Sequence, residues 1–338
     1  MPACRQQWLY EPQIGNSGSM SYLPRQNGEQ GVLQFIEALL DSPPADETWI
    51  GDDAAVVGGD SGPILLTADL TVAGVHADLE LVSLEDMGWK ALASSVSDIA
   101  AMGGRALWAL VSVAAPPGTQ IKQLYAGIAA ACEAHECPVV GGDLSNSKTL
   151  VISVAVVGTG DGTPPVLRSG AKPGHWLLVT GPLGAAAAGL AQLRATRSKT
   201  LPERDPGSSG VADPTWAHRR PVAKLAEGRS ARRAGAAAMI DISDGLAIDL
   251  DHLARSSGVG ISLDRVPVSP GATLLDALGG GEDYELIIAA PSAAEILREF
   301  EACGLRTPLV IGKCTAQAED RLLDGEPFPI YGYQHDFS

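Results

Sequence analysis

Apolar residues recur along the chain with two periods, and the switches between them predict the elements. Between residues 28 and 41, Val32, Phe35, Ile36, Leu39 and Leu40 share one stripe, the mark of an amphipathic helix. Short strand-like runs follow at 54–57 and 64–70. Ser83-Leu84-Glu85-Asp86 resembles a capping box opening a long Ala-rich helix to about Met102. Residues 107–114 predict a strand, 120–135 a helix and 151–157 a buried strand. Gly, Thr, Asp and Pro cluster over 158–165, which predicts a boundary. Beyond it the pattern predicts a strand at 176–180, a helix at 184–193 and a loop at 196–213. A helix at 221–227, a strand at 239–242, a helix at 244–256, strands at 261–263 and 286–290 and a helix at 293–303 complete the body. Strands and helices mix without a strict βαβ repeat, so the class is mixed α/β or α+β. The organisation expected is a mobile polar extension at 1–27, an N-terminal domain at 28–160 and a C-terminal α/β domain at 161–338.

Composition narrows the function classes. At ~150 residues per domain, 338 residues suit about two domains. Lys and Arg number 24 against 40 Asp and Glu, a net charge of -16. That balance disfavours a nucleic-acid backbone or an anionic membrane surface as partner. The longest apolar stretch, 107–115, is well short of the ~20 residues that a membrane-spanning helix needs. The N-terminal stretch lacks the apolar core of a secretory signal. Cys4, Cys132, Cys137, Cys303 and Cys314 form no C-x-x-C pair, so a reducing cytoplasm is the expected setting.

The chemistry is carried by aspartates beside glycine or small polar residues. They occur at Gly51-Asp52-Asp53, Thr67-Ala68-Asp69, Ser97-Asp98, Gly141-Gly142-Asp143 and Asp241-Ile242-Ser243-Asp244-Gly245, with Gly280-Gly281-Glu282-Asp283 adding an acidic pair. P-loop, dinucleotide-fold and nucleophile-elbow signatures are missing. A single Gly-Asp turn is ordinarily a solvated loop or a helix cap. Six in one chain, each in or after an apolar segment, point instead to carboxylates brought together around hard cations. Mg²⁺ bound by few carboxylates plus substrate phosphates fits, and it lets an acidic protein hold an anionic nucleotide. Ser243-Asp244-Gly245 opens the helix at 244–256, where a side-chain oxygen caps backbone N–H groups and a phosphate is favoured. The 181–184 turn between strand and helix offers the same chance, against an ordinary strand-turn-helix. Arg168 is suited to clamp a phosphate, against a plain surface arginine.

Seven segments together resemble one family. They are GDDAAVV (51–57), LLTADLTVAGVH (65–76), KALASSVSDIAAMG (90–103), VVGGDLS (139–145), RSGAKPGHWLLVTG (168–181), IDISDGL (240–246) and GGEDYEL (280–286). In this order they resemble thiamine-monophosphate kinases, within the superfamily of aminoimidazole-ribotide synthetase, over roughly nine-tenths of the chain. The resemblance implies an aminoimidazole-ribotide-synthetase-like fold of two α/β domains. Its N-terminal domain would form a barrel across a homodimer. It implies transfer of the γ-phosphoryl of ATP to thiamine monophosphate, with several Mg²⁺. Asp53, Thr67, Asp69, Asp98, Asp143, Asp241 and Asp244 then match metal positions. Ala68 stands where the family has Thr, so only its carbonyl is available there. Tyr125, Gly142, Arg168 and Ser243 match ATP contacts, and His76, Glu282 and Tyr333 match substrate contacts. Two alternatives stay open: another ATP-using superfamily member with a different phosphorylated acceptor, and a non-catalytic nucleotide-binding paralogue.

Overall fold

The computed structural model describes residues 10–14, 20–24, 46–48, 52–58, 62–196 and 214–335. The helix expected at 28–41 and nearly all of the loop expected at 196–213 lie outside these residues. Within the polar extension, β1 (Tyr10–Ile14) and β2 (Met20–Pro24) pair with each other antiparallel, where a structureless tail was expected.

The first half is built on a five-stranded sheet in the order β3-β4-β7-β5-β6, open in the single chain. Its strands are β3 (Ala55–Val57), β4 (Ile64–Val72), β5 (Arg105–Ala115), β6 (Val139–Asn146) and β7 (Val151–Thr159). Two helices cover one face. Helix α1 (Leu84–Ala101) begins at the expected capping box, with Asp86 N–H donating to Ser83 Oγ and Ser83 N–H to Asp86 Oδ2. Helix α2 (Ile121–His135) packs beside it, and Leu65, Met87, Leu92, Ile99, Val111, Leu124, Ile128 and Ile152 fill the space between. Strand β7 alternates half-buried and buried residues, so only one of its faces is covered, not both as expected.

Two expectations fail in this half and at its edge. Residues 139–145 were read as a Gly-Asp loop; they form β6, parallel to β5 with Asp143 opposite Ser112. Glycines normally weaken a strand, yet Gly142 is required here, because a Cβ would lie 1.8 Å from Val111 O. The helix expected at 221–227 is replaced by α4 (Pro214–Arg219) and α5 (Leu225–Arg233). Between them the backbone bonds to side chains: Trp89 Nε1 donates to Pro221 O, and Ala223 N–H donates to His135 Nε2.

The second half holds a seven-stranded sheet in the order β14-β13-β10-β12-β8-β11-β9. It comprises β8 (Trp176–Val179), β9 (Ala238–Asp241), β10 (Gly260–Leu263), β11 (Leu286–Ala290), β12 (Leu309–Thr315), β13 (Arg321–Leu323) and β14 (Glu326–Pro327). The last three have no counterpart in the sequence reading. Helices α6 (Leu246–Ser257) and α7 (Leu274–Gly279) lie with one apolar cluster, which contains Leu177, Leu250, Leu253 and Ile287. The opposite cluster contains Leu178, Met239, Ile288 and Phe300 of α8 (Ala293–Ala302), together with Ala100 and Ala101 from the end of α1. Helix α3 (Ala185–Thr196) follows β8. Helix α1 therefore belongs to both cores, and its C-terminal half lies between the two sheets.

Candidate active site

Three aspartates meet where the halves join. Asp53 precedes β3, Asp98 sits in the last turn of α1 and Asp241 ends β9; one carboxylate oxygen from each lies within 4.8 Å of the others. Charges that close repel by about 3 kcal/mol per pair at an effective dielectric of about 20. Two of the three carboxyls are pushed toward their protonated forms. Burial, then the Asp53 charge, pushes Asp241 up to about 8. Burial, then Asp69, Asp241 and Asp53, pushes Asp98 well above the usual carboxylate range. Thr67 Oγ1 donates to Asp98, and Ser97 Oγ donates to Asp241 at 2.5 Å.

Strand geometry explains which neighbours join. Along β4, side chains alternate between faces, so Thr67 and Asp69 share one face and Ala68 takes the other, exposed one. Burial raises the Asp69 carboxyl, which accepts a hydrogen bond from Ser95. Arg168 supplies the counter-charge. Its Nε and Nη2 donate to the two oxygens of Asp53, each at 3.0 Å. The Arg168 N–H donates to Asp52 Oδ2, and Ser257 Oγ of α6 donates to its carbonyl, so both ends of the residue are fixed.

Two helix starts differ from expectation. At α6 no Ser243 or Asp244 side chain caps. Asp249 reaches back instead, its Oδ2 accepting from the N–H groups of Asp244 and Gly245. Gly245 holds φ 128°, and a Cβ there would lie 2.7 Å from Gly279 Cα, so the turn leaves no room for a larger cap residue. At α3 the 181–184 turn donates to an internal anion. Asp283 Oδ2 accepts from Gly184 N–H at 2.6 Å and Oδ1 from Ala186 N–H at 3.2 Å.

A second group of side chains surrounds Glu282. Lys90 Nζ donates to both carboxylate oxygens at 2.9 Å, and His218 Nδ1 stands 3.1 Å from Oε2. Burial would raise the Glu282 carboxyl, but the Lys90 charge, then His218, hold it down at about 2. His76 accepts at Nδ1 from Val72 N–H and faces His335 at 5.2 Å and Tyr333 at 6.3 Å between ring centroids. Burial, then the His335 charge, lowers the His76 imidazole. Tyr333 N–H donates to Asp244 O, which ties the C-terminal segment to the start of α6.

Of the remaining expected residues, two stand apart from these groups. Tyr125 is half-buried on α2 against the first core, and Asp143 is exposed on β6. Asp244 and Ser243 line the turn between Asp241 and α6, and Ser243 O accepts from Glu282 N–H.

This arrangement belongs to a chain with known relatives. Residues 51–160 match the AIR synthase related protein N-terminal domain, and residues 172–325 match its C-terminal domain. The chain is 38% identical to the thiamine-monophosphate kinase of Mycobacterium tuberculosis over 282 residues, covering 78% of this chain and 80% of that protein. It is 35% identical to that of Corynebacterium glutamicum, covering 77% and 82%. The chain belongs to the thiamine-monophosphate kinase family. Its mixed α/β, two-domain architecture is the AIR synthase-like fold. A solved structure described as AaThiL complexed with AMPPCP and TMP superposes with a TM-score of 0.77 at 32% identity, covering 94% of this chain and all of that one.

Sequence reasoning missed Lys90, His218, Ser97 and Asp249. Lys90 carried a signal: a lysine on the buried face of an Ala-rich helix, 4% exposed, needs a partner. His218, in an Arg-rich stretch between the expected loop at 196–213 and the expected helix at 221–227, carried none.

Proposed function

We propose that this protein moves the γ-phosphoryl group of ATP onto the phosphate of thiamine monophosphate, giving thiamine diphosphate and ADP. The observation carrying this reading is the cluster of Asp53, Asp98 and Asp241, buried or nearly so, beside Arg168. Oxygen donors alone, at mutually repelling distance and with Asp98 and Asp241 raised, are a donor set suited to Mg²⁺. Asp53, Asp98 and Asp241 would hold it, with Thr67, Asp69, Asp143, Asp244 and the Ala68 carbonyl completing the proposed metal set. Bound there, Mg²⁺ supplies positive charge that offsets the charge of the triphosphate and of the phosphoryl group in transfer.

The chain's own residues then have defined tasks. Arg168, fixed at both ends, presents a forked cation to ATP phosphate, with Gly142, Ser243 and Tyr125 as further proposed contacts. His76, Glu282 and Tyr333 hold thiamine monophosphate. The acceptor phosphate is already ionised near neutral pH, so no side chain need take its proton. Alignment of acceptor oxygen and γ-phosphorus suffices, and transfer is direct, without a phosphorylated side chain.

A homodimer, closed into a barrel through residues 28–160, belongs to this reading, with 161–338 as the C-terminal α/β domain. Its support is the uncovered face of the first sheet. Leu66, Leu70, Trp108, Leu110, Val140 and Leu144 are exposed there, and Leu66 and Trp108 are both in register with Val157. Among the described residues no helix is long and apolar enough to cross a membrane, and the four cysteines are free thiols, in keeping with a cytoplasmic enzyme. Incubation with ATP, Mg²⁺ and thiamine monophosphate, with EDTA and free thiamine as controls, tests the proposal. Thiamine diphosphate forms only with metal and the monophosphate. ADP without thiamine diphosphate would redirect the reading to another phosphorylated acceptor, and no ADP would overturn the kinase reading.

A further inference from the structure

Two side chains outside the mechanism above converge on Glu282. Lys90 reaches it from α1 and His218 from α4, with side chains 4% and 5% exposed. A buried ammonium is costly, and an apolar side chain of similar length would fill the same place without desolvating a charge. The cost is repaid in position. Glu282 sits at φ 57°, with its N–H donated to Ser243 O, so its backbone is fixed in a left-handed turn. Lys90 and His218 fix the other end. A carboxylate accepts about four hydrogen bonds. Lys90 takes one on each oxygen, and His218 Nδ1 stands 3.1 Å from Oε2 without a hydrogen-bond partner of its own, so part of the acceptor capacity of the carboxylate remains open. The rings of Tyr333 and His335 lie against His76, and His76 feels the charges of both Glu282 and Lys90.

We propose that Lys90 and His218 are positioning residues that hold the Glu282 carboxylate so that its remaining acceptor capacity faces an N–H donor on the acceptor substrate. This rests on the reading of Glu282 as a substrate contact. A site built to receive one donor selects strongly for molecules that carry it. Lys90 and His218 touch neither substrate; they act through Glu282, and the effects of all three are therefore coupled.

Steady-state kinetics on the intact protein, with ATP and thiamine monophosphate varied separately, test the coupling. Lys90→Met should raise KM for thiamine monophosphate about tenfold and leave kcat and KM for ATP within about twofold. Lys90→Arg should recover most of the loss. On top of Glu282→Gln, Lys90→Met should add nothing further. That double variant removes both charges together and guards against a fold lost to an unpaired carboxylate, and His218→Gln should give a smaller shift in the same KM. Full additivity, or a change confined to kcat or to KM for ATP, would overturn the proposal. If Glu282→Gln raises KM for thiamine monophosphate while neither Lys90→Met nor His218→Gln does, the positioning role alone falls. If Glu282→Gln leaves that KM unchanged, the substrate reading of Glu282 falls, and the positioning role with it.

Discussion

Two acidic sites, the Asp53–Asp98–Asp241 cluster and the half-buried Glu282, are shifted in opposite directions. The first gathers like charges, with Arg168 paired to Asp53, and its Asp98 and Asp241 carboxyls are pushed up. The second surrounds one carboxylate with Lys90 and His218, and that carboxyl is held down at about 2. Burial alone raises both. What separates them is whether the fold itself supplies the opposite charge. The Glu282 site is complete within the chain; the aspartate cluster keeps an excess of negative charge. On the proposed reading, one presents a fixed acceptor and the other takes up a metal and a polyphosphate.

The sharpest way to break this contrast is to remove one aspartate. Asp98→Asn or Asp53→Asn should keep the fold and lower turnover by about a thousandfold or more at saturating Mg²⁺, read as thiamine diphosphate formed. Near-normal rates would show the cluster to be structural. Removal of the arginine is next. Arg168→Met should raise KM for ATP by about tenfold to a hundredfold in the same assay, because a forked charge-assisted contact is lost.

The pH response separates the sites with no substitution at all. Asp241 rises to about 8 in the fold from an ordinary 3.8, under burial and the Asp53 charge, with Asp69 and Arg168 also facing it. Between those values the folded chain binds the proton more tightly than the unfolded chain does. The stability it contributes is full at low pH and is lost as pH rises through about 8. Glu282 has the opposite sign: its contribution is present above the ordinary carboxylate range and is lost only near pH 2. In EDTA, therefore, Tm should fall from about pH 5.5 to 8. Added Mg²⁺ should raise Tm more at pH 8 than at pH 5.5, since protons compete with the metal for Asp98 and Asp241.

Smaller effects come from outside both sites. Leu110→Glu, on the uncovered sheet face, should shift a homodimer to monomer in sedimentation velocity and leave the folding of the single chain intact. Tyr125→Phe should change KM for ATP by no more than about twofold. Ala68→Thr, which restores the family's residue on the exposed face of β4, should act just as weakly on Mg²⁺ dependence. A large effect of either would mean that the geometry of the single chain omits part of the site.

The first-half elements were legible because local signals agreed with the fold: the Ser83 capping box, the stripe of α2 and the β-rich runs of β4 and β5. Strand β6 was hidden because its glycines oppose strand propensity, and only the close approach to Val111 explains them. The Asp249 cap of α6 points backward along the chain and looks like a mid-helix acid in one dimension. Asp53, Asp98 and Asp241 were each visible as an aspartate in a small-residue context, but that they converge is a tertiary fact. The pairing of Lys90 and His218 with Glu282 was hidden for the same reason, since their partner lies 192 residues from one and far from the other in sequence.

The most direct test counts bound metal. Mn²⁺ titrated into the protein in the presence of AMPPCP, with free ion followed by electron paramagnetic resonance, should show saturable binding that Asp98→Asn largely abolishes and Lys90→Met leaves intact. Mn²⁺ binding equally to wild type and Asp98→Asn, or to neither, would contradict the cluster's role as the metal site.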